Sequence, residues 1–138
     1  MSIPPPAFEL RFEEHPTHLF AHVTGERDTL EISMAYWLAI ARECERLGTR
    51  RLLVLEELQE HAAVADMRQV VEALAAMGFH DIRVAYVDPH EHFGLLDLAD
   101  FHVRRAGLTG RVFSSLERAR GWLLADLTEG RQWGEGTR

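Results

Sequence analysis

The sequence predicts a small α/β domain with a mixed five-stranded sheet in the order β-β-α-β-α-β-α-β-α, and three observations lead there. Strand-type runs are followed by helix-type runs four times in succession. Gly48, Gly78 and Gly107 stand just past the first three helix-type runs, where a left-handed residue stops a helix. A length of 138 residues suits one domain with a packed core between its layers and no need of disulfides.

After a proline-rich lead ending at Pro6, residues Phe8 to Phe12 alternate apolar and charged side chains, and His18 to Thr24 alternate more loosely before Gly25. With a tight turn around Pro16 these read as an antiparallel hairpin whose one face meets the core. Asp28 and Glu31 have capping-box spacing, which predicts a helix to about Leu47 with Leu30, Met34, Trp37, Leu38, Ala41 and Cys44 on its buried side. Arg51 to Glu56 is a short, mostly apolar run of the kind found in the middle of a parallel sheet. A second helix is expected from a cap at Asp66, turning Met67, Val70, Val71, Leu74 and Met77 inward, and Ile82 to Asp88 is the next strand. A third helix is expected from about Glu91 to Ala106, with Leu95, Ala99 and Val103 inside.

The last unit is a strand over Arg111 to Phe113, then a helix capped by Ser114 that buries Leu116, Ala119 and Leu123 and lays Trp122 over a flank of the sheet. Each strand from the second onward returns through a helix, so those four are expected to be parallel and the first antiparallel. The domain is expected to span residues 1–126, and the glycine-rich, aperiodic stretch 127–138 to be a disordered tail.

Composition removes several classes of function. A formal net charge of −7, with arginines scattered over many elements, repels a phosphate backbone, so no nucleic-acid partner is expected. The chain has no lysine, which excludes Schiff-base chemistry and any phosphate-binding or kinase-type lysine. Between Thr49 and Thr109 there is no serine or threonine, so the central loops offer no hydroxyl nucleophile or Ser/Thr phosphoacceptor. Cys44 is the one cysteine; within an apolar helical pattern it reads as a small buried hydrophobe in a reducing compartment. The first residues lack the basic and apolar regions of a signal peptide, and charges interrupt every run well short of the roughly 20 apolar residues that span a bilayer. A cytoplasmic protein is expected, with no transmembrane segment. No cofactor is expected either, because no glycine-rich phosphate loop is present and Glu57, Glu60, Asp66 and Glu91 would oppose a phosphate at the second and third helix starts.

Open parallel sheets hold ligands at the carboxyl ends of their strands, here residues 56–65, 88–93 and the turn after Phe113. The candidate ligand-binding residues are therefore Glu56, Glu57, His61, Asp88, His90, His92 and Phe93. Imidazoles and carboxylates together are a donor set for zinc, which frames an alternative: a metal-assisted hydrolase built on His90 and His92. A third ligand at an established interval is missing, so a solvated polar loop is the plainer reading and no metal site is assigned. His18 and His22 share a face of the second strand by period two and read as surface residues.

The closing pattern Gly110, Val112, Phe113, Ala119, Trp122 and Leu123, after an initial hairpin and helix, resembles the SpoIIAA-like (STAS/SEC14-type) family of small bacterial proteins over about Phe8 to Leu124. The resemblance implies a fold and a habit of binding partners or small ligands, with no catalytic residue. In the regulatory branch of that superfamily a serine after an aspartate at the start of the second helix is phosphorylated; here the matching pair is Asp66 and Met67, and methionine accepts no phosphate. The expectation is a non-enzymatic module that binds a protein partner or a small apolar ligand, compatible with a homodimer.

Overall fold

A computed structural model describes residues 8–60, 64–89 and 95–125. Its elements are β1 (Phe8–Glu14), β2 (Leu19–Arg27), α1 (Leu30–Leu47), β3 (Arg51–Glu60), α2 (Val64–Ala76), a single 3-10 turn (Phe79–Asp81), β4 (Arg83–Val87), α3 (Leu95–Arg105), β5 (Gly110–Phe113) and α4 (Leu116–Leu123). The five strands lie in chain order across one sheet; β1 is antiparallel to β2, and β2 to β5 are parallel. The expected architecture is the observed one.

Three crossovers that all step the same way across the sheet, with the same hand, put their helices on one face. Accordingly α1 touches α2 and α2 touches α3, while α4 packs on β3, β4 and β5. Strand alternation divides the core between two faces. Leu52, Val54 and Leu58 of β3 join Leu19, Ala21 and Val23 of β2 and Tyr36, Trp37, Ile40 and Cys44 of α1. Leu53, Ala85 and Val87 point the other way, onto Ala119 and Leu123 of α4. Phe8, Leu10 and Phe12, the apolar half of the β1 alternation, pack on the first of these clusters.

Several boundaries differ from the expectation, each for a local reason. The cap of α1 is Thr29, whose side chain accepts from the Ile32 amide at 3.2 Å, and not Asp28, which is buried and accepts from Ser33. Ser115, not Ser114, caps α4 by accepting from the Arg118 amide. In both cases two neighbouring residues are competent caps, and the one in extended conformation directly before the first turn takes the role. Asp66 is no cap either, since α2 already starts at Val64. Strand β3 runs four residues past Glu56, because β2 continues beside it through Thr24↔Glu57, Gly25↔Leu58 and Arg27↔Glu60.

The buried face of α1 consists of Ser33, Tyr36, Trp37, Ile40 and Cys44, whereas Leu38 is 40% exposed. The apolar count missed this phase because Ser33 and Tyr36 turn inward as hydrogen-bonding residues. Gly48, Gly78 and Gly107 all have positive φ, at 67°, 92° and 76°, as helix stops require.

Candidate functional site

On the face covered by α1, α2 and α3 the side chains leave a cavity of about 150 Å³. Its apolar wall is built by α2 and α3, with Met67, Val70, Val71 and Leu74 from the first and Ala99 and Val103 from the second, facing Val84 and Val112 of the sheet. Its polar end lies just past the ends of β2 and β4 and beside Glu56 within β3, and Asp28, Ser33, Tyr36, Glu56, Tyr86 and Asp88 line it. Period two explains the convergence. Glu56 follows Leu52 and Val54 onto the helical face of β3, and Tyr86 follows Val84 on β4, with Asp88 one more step along. The register Val54↔Tyr86 then sets the Tyr86 ring beside the Glu56 carboxyl. From the first turns of α1, Ser33 and Tyr36 lie three apart and reach the same place.

These groups form a cluster of short polar contacts. The Ser33 hydroxyl donates to Asp28 Oδ1 at 2.6 Å. Tyr86 donates its phenolic proton to Glu56 Oε2 at 2.9 Å, and the Leu58 amide donates to Glu56 Oε1 at 2.9 Å. The Tyr36 and Tyr86 oxygens are 3.4 Å apart and Tyr36 also reaches Asp28; since Tyr86 donates to Glu56, the single Tyr36 proton goes either to Asp28 or to Tyr86.

Burial dominates the electrostatics here. It pushes Glu56 up to about 7, against the hydrogen bonds from Tyr86 and the Leu58 amide, with the charges of Asp88 and Asp28 adding to the rise. It pushes Asp28 up to about 6, opposed by Ser33 and Tyr36 and reinforced by Asp88. Both phenols are raised well above the ordinary tyrosine range by burial and the neighbouring carboxylates. Glu56 therefore changes charge near neutrality.

Of the residues singled out from the sequence, Glu56 and Asp88 line the cavity, at 1% and 5% exposure. Glu57 is not brought to them: it points to the opposite face of β3 and meets His22 Nε2 at 2.5 Å. His61, His90, His92 and Phe93 lie outside the described residues. So does Glu91, and with it the expected start of the third helix. Among the described residues no group of three His, Cys, Asp or Glu side chains is arranged to hold a metal ion. His18 does not pair with His22; it precedes β2, stacks on the His15 ring at 4.7 Å and lies 2.8 Å from the Thr17 hydroxyl.

Asp28, Ser33, Tyr36 and Tyr86 escaped the sequence reading. The one signal for them was periodicity: Tyr86 is two before Asp88 on a strand, and Ser33 and Tyr36 are one turn apart on a helix.

A search of the solved structures finds an uncharacterized protein from the DUF3478 family with a SpoIIAA-like fold, from Shewanella loihica PV-4. It matches with a TM-score of 0.55 and 14% sequence identity, over 89% of this chain and 98% of that one. The chain thus has a SpoIIAA-like fold, in agreement with the resemblance read from its closing pattern. No family model matches the sequence, and no curated protein matches it. No helix among the described residues is long and apolar enough to cross a membrane.

Proposed function

We propose that this chain is a non-enzymatic SpoIIAA-like module, without a Ser/Thr phospho-switch, that binds a small and largely apolar ligand in the cavity beneath α2 and α3. The cavity is the observation that carries the reading. Native interiors are packed nearly without voids, yet here about 150 Å³ is left open beside an apolar wall, with hydrogen-bonding groups gathered at one end. A void of this measure is large enough for a benzene-sized molecule, and apolar walls with a few convergent polar groups are the common form of a small-molecule site. Glu56 and Asp88 are its polar binding residues, and with them we include His61, His90, His92 and Phe93, which follow β3 and β4 in the chain. Met67 supports the absence of the switch: it stands where the regulatory branch has its acceptor serine, and in this chain it lines the cavity.

A neutral aromatic such as indole tests the reading. It is expected to raise the melting temperature in proportion to the logarithm of its concentration and to shift amide resonances of β4, α2 and α3. Ala99→Phe, which places a ring in the cavity, is expected to abolish both effects while keeping the circular dichroism of the wild type. Binding that persists unchanged in Ala99→Phe, or no response from the wild type, would contradict it.

A further inference from the structure

The polar end of the cavity has a chemistry more specific than hydrogen bonding in general. We propose that the ligand is an apolar amine whose ammonium group lies among Asp28, Glu56 and Asp88 while its hydrocarbon or aromatic body fills the wall of α2 and α3. The proposal rests on the reading of this cavity as a ligand site and adds the class of ligand.

Three carboxyl groups line one end of one cavity, and the charge of Asp88 works against ionisation of both Asp28 and Glu56. A cation placed among them turns that mutual repulsion into attraction, a neutral head leaves it unchanged, and an anion adds to it. A primary ammonium carries three donors, and carboxylate oxygens accept more than one hydrogen bond each.

Beside the acids the wall is aromatic. The rings of Trp37 and Tyr86 lie 5.8 Å apart and 28° from parallel, and Tyr36 is 5.7 Å from Trp37. All three rings line the cavity, and aromatic faces combined with carboxylates are a recognition surface for ammonium groups. A cavity of about 150 Å³ has room for one six-membered ring, which limits the ligand to a small amine.

Three probes of one shape and different head charge separate the possibilities: phenethylamine, 2-phenylethanol and 3-phenylpropionate, each titrated calorimetrically into the full chain at about pH 7.5. The amine is expected to bind at least about ten-fold tighter than the alcohol, as a hydrogen-bonded charge pair implies, and the carboxylate not at all. Glu56→Gln is expected to lower the affinity for the amine by at least about ten-fold and so to narrow its advantage over the alcohol. Asp28→Asn gives the same comparison should Glu56→Gln fail to fold, and the ranking of the three probes on the wild type needs neither variant. An alcohol that binds as tightly as the amine would overturn the amine assignment and leave the cavity a ligand site. If none of the three binds, the reading of the cavity falls, and the amine with it.

Discussion

The two faces of the sheet solve the same packing problem differently. On the face of α4, Leu53, Ala85 and Val87 close against Ala119 and Leu123 with Leu123 and Ala119 fully buried. Two arginines reach the end of the helix there: Arg51 donates to the Leu123 carbonyl at 2.5 Å and Arg83 to the Trp122 carbonyl at 2.7 Å, while the buried Arg83 Nε has no hydrogen-bond partner among the described residues. The two arginines are direct partners in the β3–β4 register, so they present paired cations to the carboxyl end of α4, where the helix dipole is negative. The Arg83 guanidinium also lies over the Trp122 ring at 3.8 Å. On the opposite face the helices leave a cavity and bury carboxyl groups that resist ionisation. Close apolar packing is what stabilises a small domain, and a void lined with buried acids destabilises it. The difference assigns stability to the face of α4 and a site to the face of α1, α2 and α3.

That division can be broken most forcefully at Leu123. Leu123→Ala removes a fully buried side chain from the closed face and should destabilise the fold by about 2–5 kcal/mol in urea unfolding. The affinity of the cavity for a neutral aromatic, measured where the variant is still folded, should be unchanged. A variant that loses ligand affinity and little stability would mean that the faces are not separate in this sense.

The next largest effect concerns pH. Glu56 and Asp28 have folded-state values raised above their ordinary ones, to about 7 and about 6. Their contribution to stability is therefore fully present below about pH 4, where both are protonated folded and unfolded, and it is lost as pH rises through 6 and 7. Glu56→Gln abolishes the Glu56 share of that loss. It should be more stable than the wild type at pH 8 by about 1–3 kcal/mol and show no such advantage at pH 4, as read from denaturant midpoints across the range. An advantage that grows toward acid pH would reverse the assignment. A smaller effect is expected on the α4 face: Arg83→Met, which keeps the aliphatic stem but neither the carbonyl hydrogen bond nor the cation over Trp122, should cost about 1 kcal/mol. Its pH profile should run parallel to that of the wild type.

Much of the fold was legible because it depends on local chemistry. The glycine stops and the alternation of β1 mark element order without knowledge of what lies alongside. What depends on partners was not legible. The residues after Glu56 read as a charged loop, yet they extend β3 because β2 runs beside them. Leu38 was assigned to the interior because hydropathy alone set the helical phase, and that phase is set instead by Ser33 and Tyr36 facing a polar pocket. At the site, Glu56 and Asp88 were found through the rule that ligands gather at strand carboxyl ends, which also pointed to Glu57, although alternation turns it to the other face toward His22. Tyr36 and Tyr86 sit inside a helix and a strand, where an aromatic residue reads as ordinary core. The β3–β4 register sets the Tyr86 hydroxyl on the Glu56 carboxyl, and the packing of α1 on the sheet brings the Tyr36 hydroxyl beside it.

The most direct test of the division between faces is the titration of Glu56 itself, followed through its side-chain carboxyl carbon by nuclear magnetic resonance in the folded protein. A carboxyl buried at the end of the cavity beside Tyr86 should titrate with a midpoint at about 7, and Asp28 with one at about 6. A midpoint at the ordinary glutamate value of about 4.3 would show a solvated carboxylate and contradict the account.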